Sequence, residues 1–91
     1  MARPAVKANV AASATSVTVF AAREGVSVRK LHNDSTAILY LDETGGTASA
    51  TSYTTKIPAD GYYEFPRPTA DGLITGIWAS ATGSARTTEV A

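Results

Sequence analysis

Polar and apolar residues alternate from Thr15 through Ser16, Val17, Thr18, Val19 and Phe20 to Ala21, and the same two-residue beat returns along most of the chain. A period of two belongs to a half-buried strand, and the β-branched side chains that carry it disfavour a helix. Glu24-Gly25 interrupts the beat, and Val26-Ser27-Val28-Arg29 resumes it. Asn33-Asp34-Ser35 reads as a turn cluster, because short polar side chains can bond their own backbone. Ala37 to Leu41 is apolar on both faces, which predicts a central strand. Gly45-Gly46 opens a loop before a Thr- and Tyr-rich strand from Ala50 to Ile57, ended by Pro58. Asp60-Gly61 turns into Tyr62-Tyr63-Glu64-Phe65, where Pro66 and Pro68 lack amide donors and place that strand at an end or an edge. Asp71-Gly72 turns into Leu73 to Ser80, and Ser84 to Val90 follows Gly83 as a last strand.

The expected fold is therefore all-β: a small β-sandwich or flattened barrel of about seven antiparallel strands. Strand pairing is non-local, so the pattern leaves sandwich and barrel open. Residues 1–12 contain Pro4 and no strong period, which predicts an extended N-terminal arm ahead of a single β domain over 13–91. One domain is all that 91 residues can supply, since two cores would each be too small.

Composition adds a constraint on stability. Of the 44% of residues that are nominally hydrophobic, many are alanine, and Ala, Thr, Ser and Gly fill about half the chain. The chain has no cysteine, which removes disulfides and thiolate-bound metal as supports. Association remains, and the chain is expected to work in an assembly.

Eight basic and eight acidic residues balance, so no net field favours nucleic acid or an anionic membrane as a partner. No apolar run approaches the roughly 18 residues of a membrane span. Met1 to Val10 has Arg3 and Lys7 but no apolar core, so a secretory leader is not expected. The charges are unevenly spread. Arg3, Lys7, Arg23, Arg29 and Lys30 against Glu24 give residues 1–30 a net +4. Asp34, Asp42, Glu43, Asp60 and Glu64 against Lys56 give residues 31–66 a net −4. That polarity could serve a head-to-tail contact between copies, but the preferred reading is two sets of charges on solvated faces of one domain, since surface pairs contribute little.

Catalysis needs titratable groups brought together, and few are available. His32 is the only histidine; with Asp34 it could form part of a ligand set or a base with its orienter, yet beside a turn cluster it ordinarily serves a loop hydrogen bond. Asp42-Glu43 ahead of Gly45-Gly46 lacks the spacing of a calcium loop. No Gly-x-Ser-x-Gly elbow and no phosphate-binding glycine loop occur. The expectation is a protein without catalytic residues, metal or cofactor. Aromatic residues are the better lead. Tyr62 and Tyr63 must point to opposite faces of a strand, one joining Phe65 in the core and the other lying with Glu64. The exposed tyrosine suits an interface anchor or a sugar platform. Trp78 follows Gly76 and is expected in the core, its N–H reaching a carbonyl.

The run Leu31-His32-Asn33-Asp34-Ser35-Thr36-Ala37-Ile38-Leu39-Tyr40-Leu41 resembles an Asn-Asp-Ser-Thr-Ala-x-Leu-Tyr segment of small proteins encoded among the virion structural genes of tailed bacteriophages and prophages. Similar stretches are Thr47 to Thr54, Ile57 to Glu64, and Ile74 to Ala85 with Thr88-Glu89, so the resemblance covers about residues 15–90. It implies a structural protein of the virion, assembled in the host cytoplasm. The expected role is a minor head protein decorating the capsid shell in multiple copies. Its partners would be the major capsid protein and copies of itself, in a trimer by one arrangement. The family offers no catalytic motif to transfer. The expected contact residues are Arg3 and Lys7 on the arm with Tyr62, Tyr63, Glu64 and Arg67 on the sheet edge. Two alternatives stay open: a tail or fibre-associated module binding host carbohydrate through Tyr62, Tyr63, Glu64 and an exposed Trp78, and a neck or head-completion ring.

Overall fold

The computed structural model describes residues 5–91, which form eight antiparallel strands and no helix. These are β1 (Ala5–Ala11), β2 (Val17–Phe20), β3 (Val28–Asp34), β4 (Leu39–Asp42), β5 (Thr55–Ile57), β6 (Tyr62–Glu64), β7 (Ile74–Trp78) and β8 (Ser84–Val90). One sheet has the order β1-β8-β3-β6 and the other β2-β7-β4-β5. The two pack face to face, so the fold is a sandwich and not a barrel.

Seven of the eight strands overlap those that the two-residue period places, although β3 shares only Val28 and Arg29 with the expected strand and runs on to Asp34. The eighth is β1, inside the segment read as an arm. It pairs along its whole length with β8, from Ala5 opposite Val90 to Ala11 opposite Ser84. Three of its seven residues are alanines, whose small side chains give no visible hydrophobic beat, and the backbone ladder supplies what the side chains do not. The Asn33-Asp34 pair ends β3 instead of making a turn, and the chain reverses over the following residues. The strand expected from Ala50 shrinks to Thr55–Ile57: residues 50–52 bend, and Thr54 N–H meets Leu41 carbonyl at 2.8 Å one residue out of the β4–β5 register.

The core lies between the sheets. Leu39, Leu41 and Ile74 are fully buried, joined by Leu31, Ile57, Phe65, Phe20 and Trp78. Each large side chain so enclosed contributes about 1.5–3 kcal/mol. Phe20 meets Phe65 edge-on with ring centroids 5.5 Å apart, and Tyr63 meets Phe65 at 4.8 Å. Gly76 lets β7 approach its neighbours: a Cβ there would lie 2.7 Å from Val19 Cγ2 and 3.0 Å from Leu39 Cδ1. The room beside Trp78 is thus taken by Val19 and Leu39.

Two buried polar residues on β3 flank Leu31. Arg29 and Asn33 are both at 0% exposure. Arg29 donates from Nε to Glu89 at 2.7 Å, from Nη1 to the carbonyls of Ala70 and Gly72 at 2.7 Å each, and from Nη2 to Ala21 at 2.9 Å. Its guanidinium also lies 5.0 Å above the Phe20 ring. Asn33 donates to the carbonyls of Ala37 at 2.9 Å and Pro58 at 3.0 Å, and its amide oxygen accepts the Trp78 indole N–H at 3.0 Å. One residue organises the loops at one end of the sandwich, the other those at the opposite end. A surface of 5019 Å² matches the roughly 5,000 Å² that scaling gives a monomer of 9.4 kDa. Scarcity of bulky apolar side chains has not left the chain with more surface than an ordinary monomer of its mass.

Candidate functional site

Alternation on β3 decides which side chains leave the sandwich. With Arg29, Leu31 and Asn33 turned inward, Lys30, His32 and Asp34 face out, and their cross-strand partners face out with them. Lys7 of β1, Thr88 of β8, Lys30 of β3 and Glu64 of β6 therefore form one row across the outer face. Asn9, Arg86, His32 and Tyr62 form the next. This face is polar and mixed in charge.

Its charges are largely matched within the face. Arg86 contacts Asp34 at 3.1 Å and Arg67 reaches Glu64 at 3.7 Å. His32 Nε2 lies 2.7 Å from Asp60 Oδ1. Asp60 holds that position from the turn after β5, in a left-handed backbone conformation with φ 59°, its N–H bonded to Ser35 carbonyl. The histidine is thus partnered by Asp60, and Asp34, the partner suggested by sequence proximity, belongs to Arg86. Charges from both segments meet on this face, as Lys30 opposite Glu64 shows, while Asp42 ends β4 in the other sheet.

Of the expected contact residues, Lys7, Tyr62 and Glu64 share this outer face, and Arg67 joins them through Glu64. Tyr62 is 59% exposed, and its hydroxyl lies 3.4 Å from Glu64 Oε1. Tyr63 points the other way and packs against the core, as the alternation requires. Trp78 is only 2% exposed, so a platform combining Tyr62, Tyr63 and an exposed Trp78 is not assembled. Arg3 lies outside the described residues.

Beside this face an open depression of about 330 Å³ is lined by Asp34, Ser35, Thr36, Asp60, Thr82 and Gly83. Its rim is tied together internally: Ser35 Oγ donates to Thr82 carbonyl, and Ala37 N–H donates back to Ser35 Oγ. Gly83 has φ 85°, and a Cβ there would collide with Asp34 carbonyl. The two acids considered for calcium are engaged in their own loop. Asp42 Oδ1 accepts from Thr44 hydroxyl at 2.5 Å and Thr44 N–H at 2.8 Å, which together hold its carboxyl below the usual carboxylate range. Glu43 Oε2 accepts from Thr54 and Thr55 hydroxyls. Among the described residues, no group of three or more His, Asp or Glu side chains is placed to hold a metal ion.

The residue that sequence reasoning missed is Arg29. Charge counting places it with the solvated groups, although its inward phase with Leu31 and Asn33 signals burial. Comparison of the chain with family models, curated proteins and solved structures gave no match.

Proposed function

We propose that the protein is a structural component of a tailed-phage virion, a minor capsid protein that decorates the shell in multiple copies. The observation that carries this reading is β1. It is a seven-residue strand at the edge of a sheet, exposed along nearly its whole length, and it offers its backbone to a neighbouring chain. Shell decoration needs a small rigid unit with such a joint and with a polar face toward other subunits. The sandwich supplies the unit, and the face bearing Lys7, Tyr62, Glu64 and Arg67 suits the mixed-charge surface of a capsid protein. The resemblance of residues 15–90 to small virion proteins points the same way.

Quantitative mass spectrometry of purified particles tests the role. Decoration expects on the order of hundreds of copies per virion, whereas a neck ring expects about a dozen. Absence from the particle overturns both. The exposed Tyr62 beside Glu64 favours a second reading, a tail-associated module for host carbohydrate. Glycan binding abolished by Tyr62→Ala supports it; the test belongs to Tyr62 because Tyr63 packs in the core.

A further inference from the structure

The edges of the two sheets are not alike. β6 has three residues and runs into Pro66 and Pro68. β5 has three and ends at Pro58, and β2 has four with a register shift between Thr18 and Phe20. Short strands, prolines and bulges are the devices that keep an edge from pairing with another chain. β1 has neither brevity, bulge nor internal proline; its one protecting feature is the single charge of Lys7, which the rest of its seven residues do not repeat.

Which backbone groups of β1 point outward follows from the ladder. Ala12 N–H donates to Gly83 carbonyl at 2.9 Å, one step beyond the pair Ala11–Ser84, and Thr87 hydroxyl donates to Ala8 carbonyl. Bonded and non-bonded pairs alternate in an antiparallel ladder, so Val6, Ala8 and Val10 spend their backbone groups on β8. The N–H and C=O groups of Ala5, Lys7, Asn9 and Ala11 face the open side.

We infer that β1 pairs antiparallel with β1 of a second copy, on a two-fold axis at Ala8, joining the two four-stranded sheets into one of eight strands. The inference names the partner for the edge on which the virion reading leans. Centred on Ala8, all seven residues find partners, and the outward groups meet outward groups: Ala5 with Ala11 and Lys7 with Asn9 of the other copy. Val6 then lies opposite Val10, and Ala8 opposite Ala8. Val6, 47% exposed in the single chain, gains an apolar neighbour. Centring on Lys7 would set two ammonium groups face to face, a destabilising arrangement across strands. Such a contact uses the same patch on both copies and closes at two.

The chain has no cysteine, so single cysteines report the register directly. In the inferred dimer the two Ala8 residues form a non-bonded pair with Cα atoms about 4.5 Å apart, within disulfide reach. Two Val6 residues are about 13 Å apart, as are two Val10 residues, at roughly 3.3 Å per residue along the strand. Full-length Ala8→Cys should therefore oxidise rapidly to a covalent dimer, Val6→Cys and Val10→Cys alone should not, and an equal mixture of the last two should. By sedimentation equilibrium at high micromolar concentration, the unmodified chain should have twice the 9.4 kDa mass. Asn9→Pro removes an outward N–H while sparing the bonds to β8, and should return the protein to a monomer with an unchanged circular dichroism spectrum. An unmodified chain that stays monomeric overturns the inference. So does cross-linking of Val6→Cys as fast as Ala8→Cys, or a dimer that survives in folded Asn9→Pro. The cysteine series does not depend on the proline variant folding. These measurements use the isolated chain, so their failure leaves the virion reading standing, and a failed particle count leaves this one standing.

Discussion

Arg29 shows how much a single polar side chain can organise. A guanidinium carries five N–H donors in a rigid fork, and here it engages a carboxylate and carbonyls from two loops at once. Arg29→Ala strands those carbonyls and leaves the Glu89 carboxylate with the 3.6 Å contact to Arg23. We expect a loss of about 3–5 kcal/mol, read as a lowered midpoint in urea unfolding, out of a total stability of about 5–15. A second residue-scale prediction concerns acid. Asp42 has its carboxyl lowered in the folded state by the Thr44 hydroxyl and, second, by the Thr44 amide. A depressed folded value means the stabilisation is complete above the unfolded pKa and is lost as pH falls through the folded one. Thr44→Ala removes the hydroxyl bond, so an NMR titration should find the Asp42 carboxyl moved up toward the ordinary range. The sequence made some of these placements legible: the opposed faces of Tyr62 and Tyr63 follow from the pleat alone. The partners of Arg29 were not, because its acceptors come from segments 8 residues before it and 41, 43 and 60 residues after it.

Between elements, the sheets are joined by polar contacts as well as by the apolar core. Asn33 on β3 bonds Trp78 on β7 and carbonyls at the end of β5, so one amide spans the sandwich. Asn33→Ala leaves a buried indole N–H unpaired and should cost at least about 2 kcal/mol. In a thermal-unfolding double-mutant cycle with Trp78→Phe, the two losses should fall short of additivity by about 0.5–3 kcal/mol. Had the pair been independent, the cycle would close to zero. An indole N–H reaching a carbonyl-type oxygen could be read from the sequence, since a buried tryptophan seeks an acceptor. That Asn33 provides it could not, because the Asn-Asp-Ser run carries the same signature whether it turns or ends a strand. β1 escaped the pattern for a related reason. Alanine, lysine and asparagine give no contrast between faces, and only the chain's far end, through β8, makes the segment a strand.

Over the whole molecule, β8 is the strand on which sheet closure depends, since it lies between β1 and β3. Truncation after Gly83 should abolish the folded NMR spectrum, whereas removal of residues 1–11 takes away only an edge and should leave a dispersed spectrum with a lower melting temperature. Loss of both spectra would mean that the edge is as necessary as the interior. The all-β class, the strand positions after residue 15 and the buried Trp78 could be anticipated from a period of two. The order of strands could not, because pairings between distant segments are not written in local alternation. That order has a consequence for synthesis. Val90 pairs with both Ala5 and Val28, so β1 finds its neighbour only in the eighth strand of the domain. A nascent chain whose β8 is still inside the ribosome keeps β1 waiting, with a bare ladder on each side, until those later codons have been read.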